Sequence, residues 1–187
     1  MQLSIPTLVA LVYLASEVLL TITKHARKSG PSRDANSWRL MWIVITLSIW
    51  LGILAAQKIS GASLPDRKLF TLIGVAVFVA GLVLRGYSVF RLGRFFTVNV
   101  AIATDHQLIE TGPYRFVRHP SYTGALLAIF GFTLTLGNWL SIAVVMLPIF
   151  AAFVYRMNVE ERALIAGLGD AYRAYISRTK RLLPLIY

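Results

Sequence analysis

Residues 69–90 read LFTLIGVAVFVAGLVLRGYSVF. One charged side chain, Arg85, interrupts this run near its end. As a helix the run rises about 33 Å, enough to cross a hydrocarbon core of about 30 Å. A helix on a soluble globule keeps a polar face, and this run has none. Apolar runs of similar length recur at 3–23, 39–57, 120–136 and 139–157. The pattern predicts an all-α integral membrane protein of about five transmembrane helices.

Composition agrees. Of the 187 residues, 57% are hydrophobic and only 14% are charged, against about 25% charged in soluble domains. The mean hydropathy is +0.66. A formal net charge of +11 on a soluble chain would suggest nucleic acid. Here the basic residues lie between apolar runs, so they read as topology signals and contacts to membrane lipids, with no nucleic-acid partner expected. The chain has no cysteine, which excludes disulfides, thiolate zinc sites, iron–sulfur clusters and a cysteine nucleophile. His106 and His119 are thirteen apart and form no HxxxH or HxxE arrangement, so no metal site is expected. Glycine-rich phosphate loops, dinucleotide fingerprints and nucleophile elbows are also lacking.

The first run, 3–23, has Pro6 in its opening turn and Glu17 at depth, expected to face the bundle or pair with a neighbour. No basic segment precedes it, and Lys24, His25, Arg27 and Lys28 follow. It reads as a retained helix rather than a cleaved leader. Trp38 and Trp42 stand at the entrance to the second helix, like an interfacial belt. Arg85 either snorkels or faces a polar pocket. Residues 91–121 are too polar to span and are the first place to look for a site. Gly137–Asn138 turns the chain between helices four and five, and Pro148 should kink the fifth. An amphipathic tail follows from 158, with helices at 160–168 and 170–179 broken at Gly169. Residues 1–187 read as one domain, with three N-terminal spans in 1–90 and a site-bearing half with a helical hairpin in 91–187. The Lys and Arg bias puts the N-terminus outside and the C-terminus in the cytoplasm.

Both polar segments, 91–122 and 156–181, flank the same hairpin, so they can meet at one end. Gly112–Pro113 forms a turn, and Pro120 suits the first turn of a helix. His119 then stands at a helix N-terminus, where free amides favour an anion. The plainer reading is a hydrogen bond between loop and helix. Glu160 and Glu161 are either a solvated flank or a site for an ammonium group. Arg156 is four residues before Glu160 and shares its face on a helix. An arginine holds a carboxylate, and a zwitterionic ligand needs both.

An ordered set of residues carries a family likeness. It comprises Leu92-Gly93, Phe95, His106, Leu108, Gly112-x-Tyr114, Arg118-His119-Pro120-x-Tyr122-x-Gly124, Glu160-Glu161, Leu164-Ile165, Gly169-x-x-Tyr172-x-x-Tyr175 and Leu182 to Pro184. In this C-terminal half the chain resembles the isoprenylcysteine carboxyl methyltransferases and, more distantly, membrane phospholipid N-methyltransferases. The resemblance implies methyl transfer from S-adenosylmethionine to the carboxylate of a prenylated cysteine, with the lipophilic substrate entering from the bilayer. It carries His106, Leu108, Tyr114, His119, Pro120, Tyr122 and Glu160 into the cofactor pocket. Arg156 and Glu161 are carried to the methyl-transfer end as catalytic residues. The first two helices match nothing securely and are expected to select the substrate. So short a chain looks bacterial or archaeal in style, which predicts a plasma-membrane location there and leaves the acceptor open.

Two further functions compete with carboxyl methylation. An N-methyltransferase acting on a lipid or small amine needs a base, and Glu161 is a candidate. A transporter or binding subunit would place broken helices near the midplane, often in repeats. This chain puts its polar segments at one end and shows no repeat.

Overall fold

The computed structural model describes residues 4–24, 35–96, 108–184 and 186–187. Among the described residues six helices run in chain order: α1 (Ile5–Lys24), α2 (Ala35–Lys58), α3 (Arg67–Leu92), α4 (Pro120–Thr135), α5 (Trp139–Leu168) and α6 (Asp170–Arg178). Short 3-10 turns occupy Ser60–Ala62, Gly93–Phe95 and Gly112–Arg115. The all-α reading holds. Among the described residues four helices, α1, α2, α3 and α5, are long and apolar enough to cross a membrane.

Local signals set the helix ends. Asp66 caps α3 by accepting from the Leu69 amide at 3.0 Å, and Asn138 caps α5 through the Ser141 amide at 3.0 Å. Both helices stop at glycines with positive φ, Gly93 and Gly169, a conformation that other residues adopt at a cost. Large apolar side chains stand exposed along the outer faces, such as Leu72, Val83 and Leu147. A soluble protein would not leave them in water, whereas lipid accommodates them.

α4 is the exception. Twelve of its sixteen residues are buried, because α3, α5 and α1 surround it. Its length is about 24 Å, less than the hydrocarbon core. Glycines let α3 and α4 touch backbone to backbone. A Cβ on Gly131 would lie 2.4 Å from the Phe78 amide nitrogen, and one on Gly81 would lie 2.4 Å from that of Ala128. Small residues at such a crossing are the usual means of close helix packing in lipid. α2 packs on α5, where Ser141 Oγ donates to the Gly52 carbonyl at 2.7 Å. At the hairpin end Asn138 Nδ2 donates to the Ile59 carbonyl at 2.8 Å.

Two boundaries differ from the sequence reading by more than two residues. α5 continues unbroken from Trp139 to Leu168 instead of ending at 157. Its final eleven residues trade apolar for amphipathic character, but Glu, Arg, Ala and Leu all favour helix, so polarity changes without a break. α2 begins at Ala35 rather than 39, since a helix can extend past the last apolar residue into polar surroundings.

Candidate functional site

The site forms where α4 begins. His119 is the residue before α4, and its Thr123 and Tyr122 amides close the first turn onto the His119 carbonyl at 3.0 Å each. Pro120 opens the helix, fully buried, where its missing N–H costs nothing. A strap from the chain's end ties down the preceding loop. The Arg118 amide donates to the Lys180 carbonyl at 2.7 Å, and the His119 amide to that of Arg181 at 3.0 Å. Tyr175 of α6 donates its hydroxyl to the Tyr114 carbonyl at 2.6 Å. Burial raises the pKa values of Tyr114, Tyr172 and Tyr175 above the usual tyrosine value, and neighbouring carboxylates add to this, so all three stay neutral donors.

Glu160 and Glu161 point different ways, as neighbours on a helix must. Glu161 faces the loop and the strap. Its Oε1 accepts from Arg118 Nε at 2.9 Å and from His119 Nε2 at 3.1 Å, and its Oε2 accepts from Arg181 Nη2 at 2.7 Å. A carboxylate only accepts, so His119 carries its proton on Nε2 in this contact. Glu160 faces inward and accepts from the Tyr122 hydroxyl at 2.7 Å. The Tyr122 ring stacks on His119, centroids 5.4 Å apart, and meets the edge of Phe153.

A cavity opens inside this cluster. Leu108, Tyr114, His119, Tyr122, Arg156 and Glu160 are among the residues that line it. Glu17, Leu20, Trp38, Met41, Trp42 and Arg85, from α1 to α3, line it too. Arg156, Glu160 and Leu164 recur every four residues along α5 and all reach the cavity. Arg156 is 2% exposed, and its Nη1 donates to Ser37 Oγ at 2.5 Å. The arrangement offers a cation and an anion one helical turn apart on α5, with aromatic and apolar side chains lining the same cavity. It suits a ligand with both charges beside one with a greasy tail.

Most of the residues singled out from the sequence therefore converge. Leu108, Tyr114, His119, Tyr122, Arg156 and Glu160 share the cavity, and Pro120 supports His119. Glu161 turns away from the cavity toward Arg118, His119 and Arg181. His106 lies outside the described residues. Arg118, Arg181, Tyr175 and Ser37 received no role from the sequence. Arg118 adjoins His119, a signal that was available. The pairings of Arg181 with Glu161 and of Ser37 with Arg156 depend on tertiary structure alone.

Comparison with known proteins adds a second line of evidence. A family profile described as the isoprenylcysteine carboxyl methyltransferase family matches residues 72–166. A rice protein (Oryza sativa subsp. indica), named a probable protein-S-isoprenylcysteine O-methyltransferase, is 33% identical over 94% of this chain and 92% of its own length. The fission-yeast (Schizosaccharomyces pombe) protein-S-isoprenylcysteine O-methyltransferase is 34% identical over 57% of this chain, and the match spans 46% of that longer protein. A solved structure of a eukaryotic intramembrane Ras methyltransferase, isoprenylcysteine carboxyl methyltransferase, superposes with a TM-score of 0.68 at 24% identity. It covers 96% of this chain and 64% of that one, a likeness of fold. The rice match takes in nearly the whole chain, so the likeness extends past the C-terminal half. These relatives, with others from Arabidopsis thaliana, Saccharomyces cerevisiae, mouse and rat, are eukaryotic. The expectation of a bacterial or archaeal plasma membrane is overturned. Brevity did not mark lineage, because the rice relative is nearly as short.

Proposed function

The chain belongs to the isoprenylcysteine carboxyl methyltransferase family, and from that premise we propose that it methylates the carboxylate of a prenylated cysteine or a similar lipophilic acid, using S-adenosylmethionine. The observation that carries this reading is the shared cavity, lined by Arg156 and Glu160 together with apolar residues of α1 and α2.

S-adenosylmethionine, when bound, supplies an electrophilic methyl group on a sulfonium. The residues present fit such a group. Glu160 takes the ammonium end and is held in place by the Tyr122 hydroxyl. The stacked rings of Tyr122 and His119 offer π faces, which favour a cation. Leu108 and Tyr114 complete that wall, with His106 assigned there by the family resemblance. Arg156 grips the acceptor carboxylate and orients it. A carboxylate is already a nucleophile at neutral pH, so the protein's task is alignment and removal of water. Closing the two opposite charges together in a low-dielectric cavity favours transfer, since both are neutralised in the product. Glu161 positions the loop and strap through Arg118, His119 and Arg181. The acceptor's tail lies along Leu20, Trp38, Met41 and Trp42 and continues into the bilayer. In this reading the chain works as one unit with five spans, α4 being the short, enclosed one.

The test is single-turnover transfer by the purified protein in detergent micelles, offering an N-acetyl prenylcysteine in parallel with a lipid amine. Methylation of the acid supports the reading. Methylation of the amine with none of the acid overturns it.

A further inference from the structure

Glu17 and Arg85 face each other between α1 and α3. Each lies seven residues before the end of its helix, about 10 Å of rise from that end. Their side chains are 7% and 11% exposed. Arg85 Nη2 donates to Glu17 Oε2 at 2.7 Å, and Nε lies 2.6 Å from Oε1, close but not aligned for a hydrogen bond. Apolar residues of similar volume often match or exceed such a buried pair in stability. Ionisable groups inside an apolar bundle usually mark function. The mechanism above uses neither residue, yet both line its cavity.

Arg85 does more than pair. Its Nη1 donates to the Ser121 carbonyl at 3.2 Å and to Ser121 Oγ at 3.3 Å. Ser121 is the second residue of α4, between Pro120 and Tyr122. The same turn presents His119 at its cap and Tyr122, which holds Glu160. One planar guanidinium thus joins α1, α3 and the catalytic end of α4. A lysine offers no such fork.

We propose that Glu17–Arg85 is a positioning device for methyl transfer, fixing the first turn of α4 and thereby the alignment of Tyr122 and Glu160 against Arg156. This rests on the methyltransferase reading. Glu17 orients the guanidinium, Arg85 holds Ser121, and α1 becomes part of the active centre without touching the reacting atoms.

Ordinary ionic glue between α1 and α3 needs only opposite charges, whereas positioning needs a donor on α3. Charge reversal, Glu17→Arg with Arg85→Glu, separates the two. The reversed pair restores attraction but puts a carboxylate on α3 that cannot donate to the Ser121 carbonyl. The reversed variant is expected to regain the melting temperature that each single change loses, while kcat for an N-acetyl prenylcysteine stays about 10²-fold down, the scale of an ångström misalignment. Arg85→Lys is expected to lower kcat about tenfold or more, to weaken S-adenosylhomocysteine binding by clearly less than that because Tyr122 and Glu160 also hold the cofactor, and to leave acceptor KM within about threefold of wild type. Recovery of kcat by the reversed variant overturns the proposal. So does a wild-type kcat in Arg85→Lys, which decides the matter where the reversal fails to fold, or a loss of cofactor affinity in step with kcat. No transfer by the wild-type chain, although it binds S-adenosylhomocysteine, would defeat the acceptor reading and this proposal with it.

Discussion

Replacing Glu161 by Gln separates a residue that builds the site from one that performs the chemistry. The carboxylate accepts from Arg118, His119 and Arg181. The Glu161 and Arg118 side chains are each 8% exposed, and that of Arg181 is 25% exposed. Hydrogen bonds to charged groups contribute about 1.5–3 kcal/mol each, and removing one member of a buried ion pair costs about 3–5 kcal/mol. Gln keeps one carbonyl acceptor but loses the charge, so the expected loss is roughly 2–4 kcal/mol, most of it at Arg118. The strap and loop meet at this carboxylate, so the loss loosens His119 and its partner ring Tyr122. Affinity for S-adenosylhomocysteine should fall about 10–100-fold, at about 1.4 kcal/mol per tenfold. Thermal unfolding in detergent and calorimetric titration measure the two effects. A cycle with Arg118→Lys should show about 1–3 kcal/mol of coupling. Wild-type melting and cofactor binding in Glu161→Gln, with transfer abolished, would refute the reasoning and return Glu161 to the acceptor as a base.

Arg156→Lys should lower the transfer rate far more than S-adenosylhomocysteine affinity, because a point charge does not copy a two-donor grip on a carboxylate. Equal losses in both would remove Arg156 from the acceptor end. Tyr122→Phe frees Glu160 of its 2.7 Å donor and should weaken cofactor binding by about 1–2 kcal/mol, read by the same titration. Gly131→Leu should fail to give folded protein on size-exclusion chromatography, since the new side chain meets the backbone of Phe78 and Gly74. Asn138→Ala should lower the melting temperature by unmaking the α5 cap and the bond to the Ile59 carbonyl, about 1–3 kcal/mol together, without changing the transfer rate of the folded fraction.

Much of the architecture is readable from local sequence. Lipid demands long apolar helices, so runs such as 69–90 announce themselves, and Gly137–Asn138 and Gly169 mark where the chain must turn. The four-residue spacing of Arg156 and Glu160 likewise placed both on one face before any fold was known, because helical period is a property of the chain alone. The continuity of α5 across residues 157–160 was not readable. The sequence changes polarity near 158, and a solvent boundary looks the same as a helix boundary in composition.

Tertiary structure alone decided what each charge does. Glu160 and Glu161 are chemically identical neighbours, yet one lines the cavity and the other holds Arg118, His119 and Arg181. That division depends on where α4 and the strap happen to lie against α5. Glu17 and Arg85 were each ambiguous because their partners are 68 residues apart, and no local pattern reports so distant a contact. Periodicity and hydropathy describe how a segment meets water or lipid. Ion pairing needs two side chains within a few ångströms, a distance fixed by packing rather than by position in the chain.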